Sequence, residues 1–270
     1  MSIDMVRSNA ELRREPVNSL VRSSVHSDDI VDLVFIFGGY AGPTGPISPL
    51  PADRAGITTK ESNDVGQLAR RVRGMRTLPH HRVMVFDYNP TINSPLSYLR
   101  TPLIQLSTYL DHLGHLIIYG FSAGGYNALV FSKLIWRDNA QLSRSADTFY
   151  RTHNQVDSGL QSVIRIDYLI TIDPALDSSR TDNIDRGVPP CVRRNLDYYQ
   201  TTANIVGSRG RPTYAMNSGT TYVRSRNRTA ELEVTGESPH GFIDNYTYNT
   251  VARKIQESLL LPTYFTRLSR

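Results

Sequence analysis

A single cysteine, Cys191, stands among the 270 residues, so no intrachain disulfide can form and the fold must be held by packing. Long hydrophobic runs are missing too. Blocks such as Val31 to Phe37 fall far short of the roughly 20 apolar residues that cross a bilayer, which excludes a transmembrane helix. The opening segment, Met1 to Val25, is polar and arginine-bearing without a continuous apolar block, so no Sec signal is expected. Residence is expected to be cytoplasmic, or reached by an export route that needs no such signal. No Gly-x-x-x-x-Gly-Lys phosphate loop is present, and His80-His81 lacks a third ligand at helical or hairpin spacing, so neither metal nor cofactor is expected. Charge of one sign is not concentrated either: the net +5 comes from arginines scattered through the chain with Asp and Glu between them. That argues against the basic stripe of a nucleic-acid binder. Internal repeats and low-complexity segments are absent.

What is there is an alternation of apolar strands and amphipathic helices. Residues 1 to 29 carry no apolar periodicity and read as a poorly ordered or loosely packed lead-in. Val31 to Phe37, rich in β-branched and aromatic residues, reads as a buried strand closed by Gly38-Gly39. The proline- and glycine-rich residues 41 to 56 read as a long loop over the strand ends. Val65, Leu68, Ala69 and Val72 mark a helix capped from Ser62-Asn63-Asp64, and Val83 to Phe86 a second strand ending at Asp87. Leu96, Leu99, Leu103, Leu106 and Leu110 mark a second helix, and His115 to Tyr119 a third strand. Ile164 to Ile172 reads as a strand ended by Asp173-Pro174, and Thr213 to Asn217 as a weaker last inner strand. Tyr248, Val251, Ile255 and Leu259 give a C-terminal helix. Alternation at this spacing implies the α/β class: one domain over 30 to 270, with a mainly parallel central sheet covered by helices on both faces. Sites in such sheets lie at the carboxyl ends of the strands.

The third strand runs into Gly120-Phe121-Ser122-Ala123-Gly124-Gly125 and then a helix-like stretch. This is the layout of a nucleophile elbow, in which side chains two residues either side of the serine would strike neighbouring backbone, so Gly120 and Gly124 remove the clash. Serine needs a histidine base and a carboxylate that orients it. His153 and His240 are the histidines downstream of Ser122, and His240, in a Pro/Gly loop before the last helix, is the better placed. Asp173 at a strand end is the candidate acid, because Asn217, after the following strand, cannot carry the negative charge. Asp177 is the nearest substitute, Asp87 a weaker one, and Asp244 reads as a cap of the last helix. An oxyanion hole needs two backbone donors: Ala123 N–H, and Tyr40 N–H turned inward by Gly38-Gly39.

With these motifs in order, the chain resembles an α/β-hydrolase of the lipase/esterase-like group over about residues 30 to 260. The resemblance implies the α/β-hydrolase fold and acyl transfer to water through an acyl-enzyme on Ser122. The substrate would be a carboxylic ester, lipid ester or thioester, with no cofactor. An acyltransferase on the same three residues, or a non-catalytic binding protein of that fold, are the competing readings. Residues 41 to 56 and 174 to 212 are the lid candidates. The stretch Asn195 to Gln200 is similar to one found in some lipase-like bacterial members, with no role attached.

Overall fold

The computed structural model describes residues 30–39, 63–88, 95–137, 164–175, 184–202, 210–217, 221–235 and 239–262. The lead-in 1 to 29, the loop 41 to 56, Tyr40, His153 and Asp177 lie outside the described residues. In chain order the elements are β1 (Ile30–Phe37), α1 (Asn63–Arg73), β2 (His81–Tyr88), α2 (Pro95–Thr108), a 3-10 turn (Leu110–His112) and β3 (Leu113–Phe121). Next come a helix α3 over residues 123–137, β4 (Tyr168–Ile172), β5 (Gly187–Val188) and β6 (Arg194–Tyr199). The last are β7 (Tyr214–Ala215), β8 (Tyr222–Asn227), α4 (Thr229–Glu233) and α5 (Pro239–Leu259).

Six strands form one all-parallel sheet in the order β2-β1-β3-β4-β6-β8, as the alternation implies. Each face has its own core, and the two-residue period of a strand divides β1 between them. Leu33, Phe35 and Phe37 pack with Leu99 and Leu106 of α2 and with Leu129 and Phe131 of α3. Val34 and Ile36 pack with Leu68 and Val72 of α1 and with Val251 and Ile255 of α5. A strand buried on both faces must be apolar at nearly every position, which is why β1, β3 and β4 stand out in the sequence.

The last inner strand is not 213–217. Tyr214–Ala215 pairs with Gly187–Val188 in a separate two-stranded sheet, and the position beside β4 is held by Arg194–Tyr199. That strand is hidden in the sequence by buried polar side chains: Asn195 and Asp197 are 1% and 0% exposed. They are satisfied within the fold, Asn195 Nδ2 by the Leu169 carbonyl at 3.1 Å and Asp197 by Thr171 Oγ1 at 2.8 Å and Thr213 N at 3.0 Å. Residues 174–212 therefore contribute a core strand as well as surface. Ile164 to Ile172 shortens to Tyr168–Ile172, with Ile166 making an isolated bridge to Val192. The final helix starts at Pro239, so His240 lies in its first turn and Asp244 lies inside it, buried, not at its cap.

The strand ends are level. Phe37, Gly120, Thr171, Asp197 and Ser225 form one row across five strands, and Phe121, Ile172, Tyr198 and Arg226 the next across four. The chain order also reverses between β1 and β3, the position where open α/β sheets form a crevice. Ser122 and Asp173 are the first residues past the ends of β3 and β4.

Candidate active site

Ser122 sits at φ 55° and Asp173 at φ 42°, the left-handed region that side-chain-bearing residues rarely adopt. Such strain persists where surrounding structure over-determines it, and here the sheet ladder does so. Ser122 N donates to the Ile172 carbonyl at 2.8 Å, Asp173 N to that of Tyr198 at 2.7 Å, and Ala175 N to that of Ser122 at 3.0 Å. The turn is closed by two glycines. A Cβ at Gly120 would stand 2.2 Å from the Gly124 carbonyl oxygen, and one at Gly124 2.1 Å from that of Phe37.

These backbone constraints bring three side chains into a hydrogen-bonded series. Ser122 Oγ lies 2.8 Å from His240 Nε2, and His240 Nδ1 lies 2.7 Å from Asp173 Oδ2. A carboxylate only accepts, so Nδ1 carries the proton and the lone pair of the neutral ring points from Nε2 at the serine hydroxyl. The Phe121 ring stacks on the imidazole at a centroid separation of 5.5 Å and fixes its plane. Asp173 is fully buried, so its charge depends on fixed donors. Besides His240 it receives Gln200 Nε2 on Oδ2 at 2.8 Å, with Gln200 N facing Oδ1 at 3.5 Å. Gln200, one residue past β6, occupies the strand-end position that the sequence pattern assigns to Asn217. It too is neutral. Only the polar residue closing the Asn195 to Gln200 stretch signals it.

Ala123 is the first residue of α3, so its N–H has no acceptor within the helix. Gly38 and Gly39 are buried, and a Cβ at Gly39 would lie 2.9 Å from the Phe121 ring and 3.5 Å from Ser122 Cβ. The end of β1 therefore runs beside the serine.

A second cluster of titratable groups lies at the other end of the sheet. Asp32, His81 and His115 place ligand-type atoms within 4.8 Å of one another, the one such set among the described residues. The imidazoles are engaged within the protein. His81 Nδ1 meets Asp32 at 2.9 Å, His115 Nε2 donates to the Leu261 carbonyl at 3.0 Å, and His115 Nδ1 faces Asp167 at 3.5 Å. Burial works to lower the His115 pKa, but Asp167 and then Asp32 carry it above its ordinary value. Asp32 Oδ1 also accepts His115 N at 2.8 Å, so this cluster ties the beginnings of β1, β2 and β3 together. No helix among the described residues is long and apolar enough to cross a membrane.

No protein-family model matches the chain, and no curated protein matches it in sequence. Among solved structures it is similar to Est1E from Butyrivibrio proteoclasticus, at 10% identity and a TM-score of 0.40, over 86% of this chain and 88% of that one. It is similar to EstE1, a thermostable carboxylesterase cloned from a metagenomic library, at 11% identity and a TM-score of 0.42, over 86% and 82%. It is also similar to the Tle1 effector, solved bound to the VgrG spike of the Type 6 secretion system, at 9% identity and a TM-score of 0.42. There the match covers 84% of this chain and spans only 55% of the effector.

Proposed function

We propose that this chain, whose parallel sheet and serine turn have the α/β-hydrolase architecture, is a serine hydrolase acting on a carboxylic ester, lipid ester or thioester. The observation that carries the reading is the unbroken series from Ser122 Oγ to His240 Nε2 at 2.8 Å and from His240 Nδ1 to Asp173 Oδ2 at 2.7 Å, mounted on a left-handed serine at a strand end. The same atoms in a merely structural network would not need that strained backbone.

The chemistry follows from the geometry. His240 Nε2 takes the hydroxyl proton as Ser122 Oγ adds to the acyl carbon, and Asp173 stabilises the imidazolium that forms. The charge that develops on the carbonyl oxygen is met by Ala123 N–H, with Tyr40 N–H as the proposed second donor. The imidazolium then returns its proton to the departing alcohol or thiol as that bond breaks, leaving the acyl group on Ser122. Water, deprotonated by the same Nε2, releases the acid and restores the serine. No cofactor enters this cycle.

A fluorophosphonate probe tests it, because the probe reacts with an activated serine whatever acyl group the site accepts. Labelling of the folded protein should map to Ser122 and vanish in Ser122→Ala. Labelling elsewhere, or none, would overturn the proposal. A panel of p-nitrophenyl esters and acyl-CoA thioesters of graded chain length would then separate ester from thioester substrates.

A further inference from the structure

We infer that Gln200 is a positioning residue for the acid of the site, acting by clamping the Asp173 carboxylate in the orientation that His240 requires. The inference rests on the proposed serine hydrolase and names a part of its machinery outside the Ser122–His240–Asp173 series.

Asp173 Oδ2 is shared: it accepts His240 Nδ1 at 2.7 Å and Gln200 Nε2 at 2.8 Å. Because a carboxylate offers no proton, the amide of Gln200 must present its NH₂ to Asp173, which turns Oε1 the other way. That oxygen is buried and has no hydrogen-bond partner among the described residues, while the residue as a whole is 0% exposed. An orphaned buried acceptor weakens a fold, so stability alone is a poor account of an amide at this position. The contact made by the other half of the side chain supplies the account. Backbone closes on the same pair: a side chain at Gly210 would stand 2.2 Å from Asp173 Oδ1 and 2.4 Å from the Gln200 carbonyl oxygen, so the chain there lies against both. With the amide in place Oδ2 is held between two short contacts, His240 Nδ1 and Gln200 Nε2, while Oδ1 faces the backbone N of Gln200 at 3.5 Å. Without the amide, rotation about Cβ–Cγ is restrained by that long backbone contact and by the imidazole it is meant to restrain.

The amide also faces the carboxylate that the imidazole contacts, so its loss should change how the labelling rate depends on pH. A role confined to folding would leave that dependence as it is.

The test is the rate of fluorophosphonate labelling at Ser122 as a function of pH, with thermal unfolding measured on the same samples. Gln200→Met keeps the volume and removes donor and orphan together. It is expected to label about tenfold more slowly at neutral pH, with an acid limb displaced from that of the wild type and a Tm unchanged or higher. Gln200→Glu restores a donor only while it holds its proton, because two carboxylates this close cannot both ionise. It should label better than Gln200→Met in mildly acidic solution and add an alkaline limb that the wild type lacks. If Gln200→Met does not fold, the near-isosteric Gln200→Glu profile decides alone. Wild-type rates and limbs in both variants, or losses that only follow Tm, overturn the clamp and leave the hydrolase reading standing. A wild-type protein that never labels at Ser122 overturns the hydrolase reading itself.

Discussion

Alanine at Gly124 adds one methyl group where two backbones already touch. Its Cβ would stand 2.1 Å from the Phe37 carbonyl oxygen and 2.3 Å from that of Gly38. An ordinary carbon–oxygen contact is about 3.3 Å, so the elbow and the end of β1 would have to part by about 1.2 Å. Neither side gives cheaply, because Phe37 is held between Tyr88 and Gly120 in the ladder and Gly124 lies in the first turn of α3. A displacement near 1 Å at reacting groups costs about 100-fold in rate, and overpacking of this kind about 1–3 kcal/mol of stability. Gly125→Ala is the control. Its nearest neighbours would be Pro174 Cα at 3.1 Å and the Gly120 carbonyl oxygen at 3.3 Å, contacts that relax by tenths of an ångström. Helix propensity also favours alanine there by roughly 1 kcal/mol. Fluorophosphonate labelling rates with urea unfolding on the same proteins are the assay. Should Gly124→Ala label within roughly threefold of wild type at unchanged stability, the serine does not depend on this close approach and the account of the elbow is wrong.

His240→Ala and Asp173→Asn are each expected to slow labelling of Ser122 by about 10³-fold or more, with the double variant little worse than either, which single- and double-variant rates would check. Phe35→Ala empties a site walled by Phe86 at 5.3 Å and Phe131 at 5.1 Å between ring centroids, and should cost about 3–5 kcal/mol in urea unfolding. Burial, opposed by the hydrogen bonds from Thr213 and Thr171, pushes the Asp197 carboxyl up to about 6 from 3.8. Its folded pKa is raised, so it favours the fold below about pH 4 and loses that contribution as pH rises through 6. Asp197→Asn should therefore gain on wild type by about 3 kcal/mol across that window, and parallel stability–pH curves would refute it. Burial pushes the Cys191 thiol up to about 12, so a thiol reagent should react with it at neutral pH only as the protein unfolds.

What the sequence makes legible here is decided by where polarity sits. β1, β3 and β4 are apolar along their length because helices cover both their faces, and the abrupt ends of β3 and β4 carry Ser122 and Asp173. β6 is equally buried but carries Asn195 and Asp197 inward, and a hydropathy pattern reads polar residues as loop unless their partners are known. Those partners, Thr171 and Thr213, come from other segments of the chain. β8 is an edge strand with alternating exposure and two arginines, which leaves no apolar run to find. With β6 hidden, Gln200 has no strand to terminate, so its polarity alone does not mark it as a residue touching Asp173. The start of α5 is ambiguous for a different reason: Pro239 suits a loop and a first helical residue equally well.

If Ser122 is the proposed nucleophile, the ties that hold it also set when it becomes reactive. Its N–H waits for the carbonyl of Ile172, Asp173 waits for Tyr198, and the imidazole arrives only with His240 at the head of α5. Every strand pair in the main sheet is parallel, so each of these contacts joins segments far apart in the chain and forms late in folding. A ribosome-bound chain that has emerged only as far as β8 holds the serine and the aspartate but no base. Such a chain, like any misfolded form that leaves α5 undocked, should be inert toward acyl groups around it. On the proposed reading, reactivity at one hydroxyl works as a completeness check on the whole sheet, and a labelling time course during refolding would report the final assembly step.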